Sequence, residues 1–244
     1  VVDPATGDSS LLSSFYDYVS KLGIKSRYVG VDIDGCAIEK SKHLFASKNI
    51  DSVFLEKDAI YPYASMSSIS GWNELKKKYI PNGIDFIVSN PPWGADKSKY
   101  SNLNIDFETA HGQFDLYDIF VEIIINNLNE NGCYGIIVPD TVYEEEHSVV
   151  RKLLLENTIL MKIIRIGEGF FANVNIATTL LFGIKKSPKN YNIECSHFSE
   201  ETKKKVLSGK IEILDAIKDC SVKIPVQLMR NFGYKFLTDV KEDD

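Results

Sequence analysis

Tyr28-Val29-Gly30-Val31-Asp32 is followed by a helix-like segment from Ala37 to Ser47 and then by Val53-Phe54-Leu55. A short β-rich run, a helical run and a second β-rich run are the repeat of a parallel sheet. Parallel neighbours cannot be joined by a tight turn and need a crossover of a dozen residues or more. Upstream, Val1-Val2-Asp3 reads as the end of a buried strand. The tight turn Asp3-Pro4-Ala5-Thr6-Gly7 leads from it, past the N-cap candidates Asp8, Ser9 and Ser10, to Leu11, Leu12, Phe15, Tyr16, Val19 and Leu22 at helical spacing, closed by Gly23. Because a domain rarely begins inside a core strand, the chain is expected to be an N-terminally truncated fragment of a longer protein.

Downstream the alternation continues. A short helix is expected around Trp72 to Tyr79, and Ile84-Asp85-Phe86-Ile87-Val88 gives a fourth strand that ends at Ser89-Asn90-Pro91-Pro92-Trp93. Residues 94–113 are polar and poorly periodic, a candidate lid or substrate contact. Leu116, Ile119, Phe120, Ile123, Ile124 and Leu128 mark a helix expected to end near Asn131-Gly132, ahead of a fifth strand, Tyr134 to Pro139. A helix from Glu144 to Asn157 precedes Leu160–Ile166 and Ala177–Ile184, two strands expected to form a hairpin after a turn at residues 167–175. Beyond Pro188 the pattern weakens. Asn190–Phe198 reads as an edge strand, residues 199–219 as helical, and Lys241-Glu242-Asp243-Asp244 as a frayed end. The expectation is a seven-stranded α/β sheet, mostly parallel, with a late antiparallel hairpin.

The composition fits one ordinary domain. With 244 residues, 44% of them hydrophobic, the chain can bury a core without disulfides or a structural metal. Its longest apolar stretches, such as Thr178 to Ile184, are strand-sized and stop at Lys185-Lys186, so no membrane span is expected. No signal-peptide pattern opens the chain. Cys36, Cys133, Cys195 and Cys220 are scattered, as are the four histidines, which points to a reducing cytoplasm and to no metal site.

In an open parallel sheet, ligands bind beyond the carboxyl ends of the strands. The residues there are Asp3, Asp32, Asp58 and Asn90, all polar. The first turn brings small residues and backbone amides close to a ligand, although Asp-Pro and Gly are also plain turn chemistry. Asp32 stands where a carboxylate accepts ribose hydroxyls. Its other reading is a helix N-cap, a role Asp34 fits better. Asp58 could equally be a solvated loop aspartate. The Gly-x-Gly-x-x-Gly and Gly-Lys-Ser/Thr signatures are absent, which removes the main support for a nicotinamide or nucleoside triphosphate ligand. Asn90-Pro91-Pro92-Trp93 is the sharpest signal. Two prolines fix two φ angles and remove two donors, leaving the Asn90 amide and the Pro91 carbonyl as acceptors beside a stacking ring. Such a pair suits a flat substrate that bears an NH2 group. A kinked surface turn with a packed Trp is the plainer alternative.

In this order, Asp3-Pro4-Ala5-Thr6-Gly7, Val31-Asp32, Asp58 and Asn90-Pro91-Pro92-Trp93 resemble the motifs of S-adenosylmethionine-dependent N6-adenine DNA methyltransferases of restriction-modification systems. The resemblance continues through Asp115-Leu116-Tyr117, Gly135-Ile136-Ile137-Val138-Pro139 and Gly169-Phe170-Phe171, and covers about residues 1–186. It implies a Rossmann-like methyltransferase sheet. Residues 1–186 would be the catalytic domain, and 187–244 an extension that begins a DNA-recognition region lying outside the chain. It also implies a cofactor site of Asp3, Pro4, Ala5, Gly7, Asp32, Ile33, Asp58 and Asn90. Asn90, Pro91, Pro92 and Trp93 would be catalytic. Trp93 and Phe171 would stack on a flipped adenine, with Phe170 in place of Phe171 if the register is off by one. Ser9 departs from the pattern, since the family usually has a second glycine in this loop.

The implied reaction moves a methyl group from S-adenosylmethionine to the N6 amine of an adenine in DNA. The implied partners are DNA together with specificity and restriction subunits. A formal charge of −6 is poor for binding phosphate, so most DNA affinity is expected outside this chain. The runs Lys76-Lys77-Lys78 and Lys203-Lys204-Lys205 read first as solvated helix faces. Three rival readings share the same motifs: a protein-glutamine methyltransferase, an RNA amino-methyltransferase, and a methyltransferase-like binding module without turnover.

Overall fold

The computed structural model describes residues 1–171 and 175–238. The residues read as a frayed C-terminus, Lys241 to Asp244, lie outside them. Five strands follow the N-terminal alternation: β1 (Val2–Asp3), β2 (Tyr28–Asp32), β3 (Ser52–Glu56), β4 (Ile84–Ser89) and β5 (Leu128–Pro139). They are connected by α1 (Ser10–Val19), α2 (Gly35–Ser47), α3 (Ser68–Tyr79), the short α4 (Leu103–Asp106) and α5 (Leu116–Asn127). After α6 (Ser148–Asn157) come β6 (Ile159–Gly167), β7 (Thr178–Ile184), β8 (Asn192–His197), α7 (Glu200–Leu207), α8 (Ile213–Asp219), β9 (Ser221–Pro225) and α9 (Val226–Asn231). All strands join one sheet in the order β3-β2-β1-β4-β5-β7-β6-β8-β9.

The first five strands pair in parallel, and β7 runs antiparallel between β5 and β6, which places Leu181 opposite both Ile136 and Ile163. This is the expected α/β sheet with its hairpin. Burial explains the strand composition. Tyr28 through Val31 are all buried because helices cover both faces of β2, so the strand reads as continuous rather than alternating. Gly30 is required there, since a Cβ would lie 2.6 Å from the Phe54 ring and 2.9 Å from the Thr6 methyl. The helix α5 is buried on all sides, through Ile119, Val121, Ile123, Ile124 and Ile125, and forms the centre of the larger core.

The structure departs from the sequence expectation in three places. The strand count among the described residues is nine, not seven, because β8 pairs in parallel with β6 and β9 closes antiparallel on β8. The segment expected at the edge, Asn190–Phe198, is therefore interior, and β9 is the edge. Second, α5 ends at Asn127, and Asn131-Gly132 is not its C-cap. Asn131 adopts φ 64° and bonds Lys185 on the neighbouring chain segment (2.7 Å), so this pair shapes an irregularity in β5. Third, Glu145–His147 form a tight 3-10 turn ahead of α6 rather than its first helical turn.

Candidate active site

The strand order reverses between β1 and β4, and the carboxyl ends of the flanking strands open on a cleft of about 480 Å3. Pro4, Ala5, Asp32, Ile33, Asp58, Asn90 and Pro92 from the sequence-derived set line it, joined by Lys57, Tyr100, Leu116 and Phe120. Asp3, Gly7, Pro91, Trp93, Phe170 and Phe171 do not reach its wall.

Asp3 acts from behind that wall. Its carboxylate is buried and accepts the Ala5 amide (3.0 Å) and the Ser89 hydroxyl (2.9 Å), tying the first turn to the end of β4. Burial pushes the carboxyl up to about 7; the two hydrogen bonds pull the other way, and the charge of Asp32 adds to the rise. Gly7 turns the backbone with φ 49°, and its amide donates to Asp32 Oδ2 (2.8 Å). The other Asp32 oxygen accepts the Asp34 amide (2.9 Å), so each retains a lone pair for a ligand. Asp34 caps α2 through the amides of Cys36 (2.8 Å) and Ala37 (3.3 Å).

Ser9 takes the left-handed backbone, φ 62°, that a glycine would adopt without cost. Its hydroxyl is buried between Thr6 Oγ1 (2.9 Å) and Ser41 Oγ (2.7 Å), and Ser41 continues to the Ala37 carbonyl (2.9 Å). Asp8 binds Ser10 at the surface. Neither side chain lies on the cleft wall.

Asp58 accepts the Ile60 amide on one oxygen (3.0 Å) and the Tyr100 hydroxyl on the other (2.8 Å), with the Lys99 ammonium at 3.6 Å. Burial, and then the bond to Asp58, push the Tyr100 hydroxyl upward. Tyr100 belongs to residues 94–113, which are folded against the body. Leu103, Phe107 and Ala110 are buried there, and the Glu122 carboxylate accepts the amides of Glu108 (3.1 Å) and Thr109 (2.9 Å). Sequence reasoning did not connect Tyr100 with Asp58. No periodicity could have, because the two meet only through a loop.

Among the described residues the Asn90 amide makes no hydrogen bond, and it faces the cleft beside Pro92. Trp93 is half-buried, and its ring meets Phe171 edge-on with centroids 6.5 Å apart at 90°. Phe170 instead lies against Phe198 at 6.1 Å. Of the two aromatic candidates, Phe171 is thus the one opposite Trp93. The loop is pinned by Asp115, whose Oδ1 accepts the Leu116 amide at the head of α5 (2.5 Å) and whose Oδ2 accepts the Gly94 amide (2.7 Å). Asp118 completes a capping box by accepting the Asp115 amide (2.9 Å). Asp118 also bonds the buried His147 at 2.7 Å, away from the cleft, and burial raises its carboxyl. In the lysine run 203–205, Lys203 and Lys205 pair with Glu200 and Glu201 at 2.6 Å each. No group of three or more His, Cys, Asp or Glu among the described residues is placed to hold a metal, and no helix among them is long and apolar enough to cross a membrane.

A cleft at the crossover of a 3-2-1-4-5-7-6 sheet, with carboxylates at the ends of β2 and β3, defines a class I methyltransferase fold. A Listeria monocytogenes chain described as a class I S-adenosylmethionine-dependent methyltransferase matches 89% of this chain over 63% of its own length, with TM-score 0.66 and 20% identity. The methyltransferase subunit of a type I restriction-modification system from Streptococcus thermophilus matches 97% of this chain over 53% of its own, with TM-score 0.71 and 17% identity. The profile of the N-6 DNA Methylase family matches residues 1–218, and the chain belongs to that family. The methylase subunit of the Escherichia coli type I restriction enzyme EcoEI is 25% identical over 197 residues, 77% of this chain and 38% of that protein. The Escherichia coli type II restriction enzyme and methyltransferase RM.Eco57I is 33% identical over 118 residues, 45% of this chain and 12% of that protein. The chain therefore spans well under half of these curated relatives.

Proposed function

We propose that the chain is the catalytic part of a restriction-modification enzyme that methylates the N6 amine of adenine in DNA. The observation that carries this reading is the Asn90 amide, which bonds no described residue and is held on the cleft wall by a Pro-Pro turn, with Trp93 and Phe171 meeting edge-on beyond it.

The cleft fits S-adenosylmethionine. Asp32 keeps a free lone pair on each oxygen for ribose hydroxyls, Asp58 offers an acceptor to an adenine amine, and Ile33, 60% exposed, leaves an apolar side chain open for a flat ring to cover. When bound, this cofactor supplies a methyl group activated by a sulfonium sulfur. The lone pair of an exocyclic adenine nitrogen is delocalised into its ring and is a poor nucleophile. The Asn90 side-chain oxygen and the Pro91 carbonyl would accept both amino hydrogens, drawing that nitrogen toward tetrahedral geometry and freeing its lone pair to bond the methyl carbon as the carbon–sulfur bond breaks; the sulfur would leave as a neutral thioether, and the surplus N6 proton would be lost to solvent. Positioning and fixed dipoles supply several kcal/mol without a strong base or a metal. Trp93 and Phe171 take up the base after it leaves the duplex, a step that costs a few kcal/mol. An aromatic pair suits a planar base better than the side-chain amide of a glutamine.

The partners follow from the same reading: DNA, bound largely through regions beyond this chain as its net charge of −6 suggests, and specificity and restriction subunits, all in the cytoplasm. Asn90→Ala is expected to abolish methyl transfer while calorimetry shows S-adenosylmethionine binding nearly unchanged. Equal loss of both would contradict the role assigned to Asn90.

A further inference from the structure

We infer that the C-terminal extension, through Phe198, Val206 and Leu207, is the bed that holds Phe171 opposite Trp93, which makes these three positioning residues for the flipped base. The inference rests on the functional reading above.

The turn that carries Phe171 cannot hold itself. Gly167 and Gly169 have φ 78° and 87°, and glycines lose more conformational freedom on ordering than any other residue. The extension closes on this turn from two directions. β8 runs beside β6 with His197 opposite Arg165, and the Phe198 amide bonds the Arg165 carbonyl (2.9 Å) two residues before the turn begins. From the other side, α7 brings the Leu207 Cδ1 to 3.7 Å from where a Gly169 Cβ would stand, and the Lys203 Cδ to 3.8 Å from the same position at Gly167. A separate apolar cluster fills the space between. Ile164, Ile166, Phe198, Ala216 and Ile217 are its buried members, and Phe170, Phe171 and Val206 pack on it. Phe170 is anchored on Phe198, and Phe171 reaches Trp93 from the same bed. A turn ordered before the base arrives adds no ordering cost to flipping, so the bed acts by preorganisation.

The test uses the full-length parent protein with any partner subunits, carrying Phe198→Ala or, because Phe198 is deeply buried, the milder Val206→Ala. Genomic DNA methylated by the wild type locates the target site, and oligonucleotides then present that site with its adenine either paired or mispaired. A mispaired base is already easier to flip. Both variants are expected to lose methylation of the paired substrate, by about tenfold for Phe198→Ala, and to recover most of it on the mispaired one. S-adenosylmethionine affinity should stay within about twofold, and hydrogen exchange should quicken over residues 167–171. Equal loss on both substrates, or unchanged activity and exchange in Val206→Ala, would overturn the inference. Absence of DNA methylation by the wild type itself would overturn the functional reading, and this inference with it.

Discussion

Asp3 shows what a single buried side chain contributes. Its carboxyl titrates near 3.8 when exposed and near 7 in the fold, so between those values the folded chain holds a proton that the unfolded chain has released. Its contribution to stability is therefore complete below about pH 4 and is lost as pH rises through about 7. Asp3→Asn keeps an acceptor for the Ala5 amide and the Ser89 hydroxyl but cannot titrate. Denaturant midpoints from pH 4 to 8 should decline less steeply for the variant than for the wild type; parallel profiles would contradict the assignment. The residues on the cleft wall were readable because each follows a strand whose pattern is clear. What the sequence could not show is that Asp3 lies behind the wall, or that Tyr100 crosses to Asp58, since both facts depend on packing between distant segments.

Among the elements, α5 links stability to the site. Asp115 caps it and also holds the Gly94 amide directly after Trp93. Asp115→Ala should cost about 1 kcal/mol through the lost cap, and so lower the melting temperature by a few degrees. It should also reduce the rate of methyl transfer more than it changes cofactor affinity; a melting shift with an unchanged rate would show that the bond to Gly94 is idle. The first seven strands were legible because period and burial agree in them. Asn131-Gly132 misled because the same dipeptide that stops a helix also shapes a bulge. β9 escaped notice because Ser-Val-Lys-Ile-Pro is short, carries Lys223, and ends in proline, features an edge strand shares with a loop.

At the scale of the whole molecule, one sheet runs from the cofactor cleft into the C-terminal extension without a break. Residue 186 marks where the motif resemblance stops rather than where the sheet ends. A chain shortened to residue 186 would uncover β6, lose the Lys162–Glu194 pair (2.6 Å), and expose the cluster beneath Phe170. Such a chain should melt well below the full one or aggregate, and an unchanged melting temperature would mean that the extension is dispensable to the fold. The central claim, that an Asn-Pro-Pro-Trp acceptor pair beside this cleft methylates adenine, is tested most directly by transfer of tritiated methyl groups from S-adenosylmethionine. The full-length parent protein, with any partner subunits, would act on unmethylated genomic DNA, which is then digested to nucleosides. The account predicts label in N6-methyldeoxyadenosine, abolished by Asn90→Ala. Label confined to another nucleoside, or equal label from the Asn90→Ala variant, would contradict it.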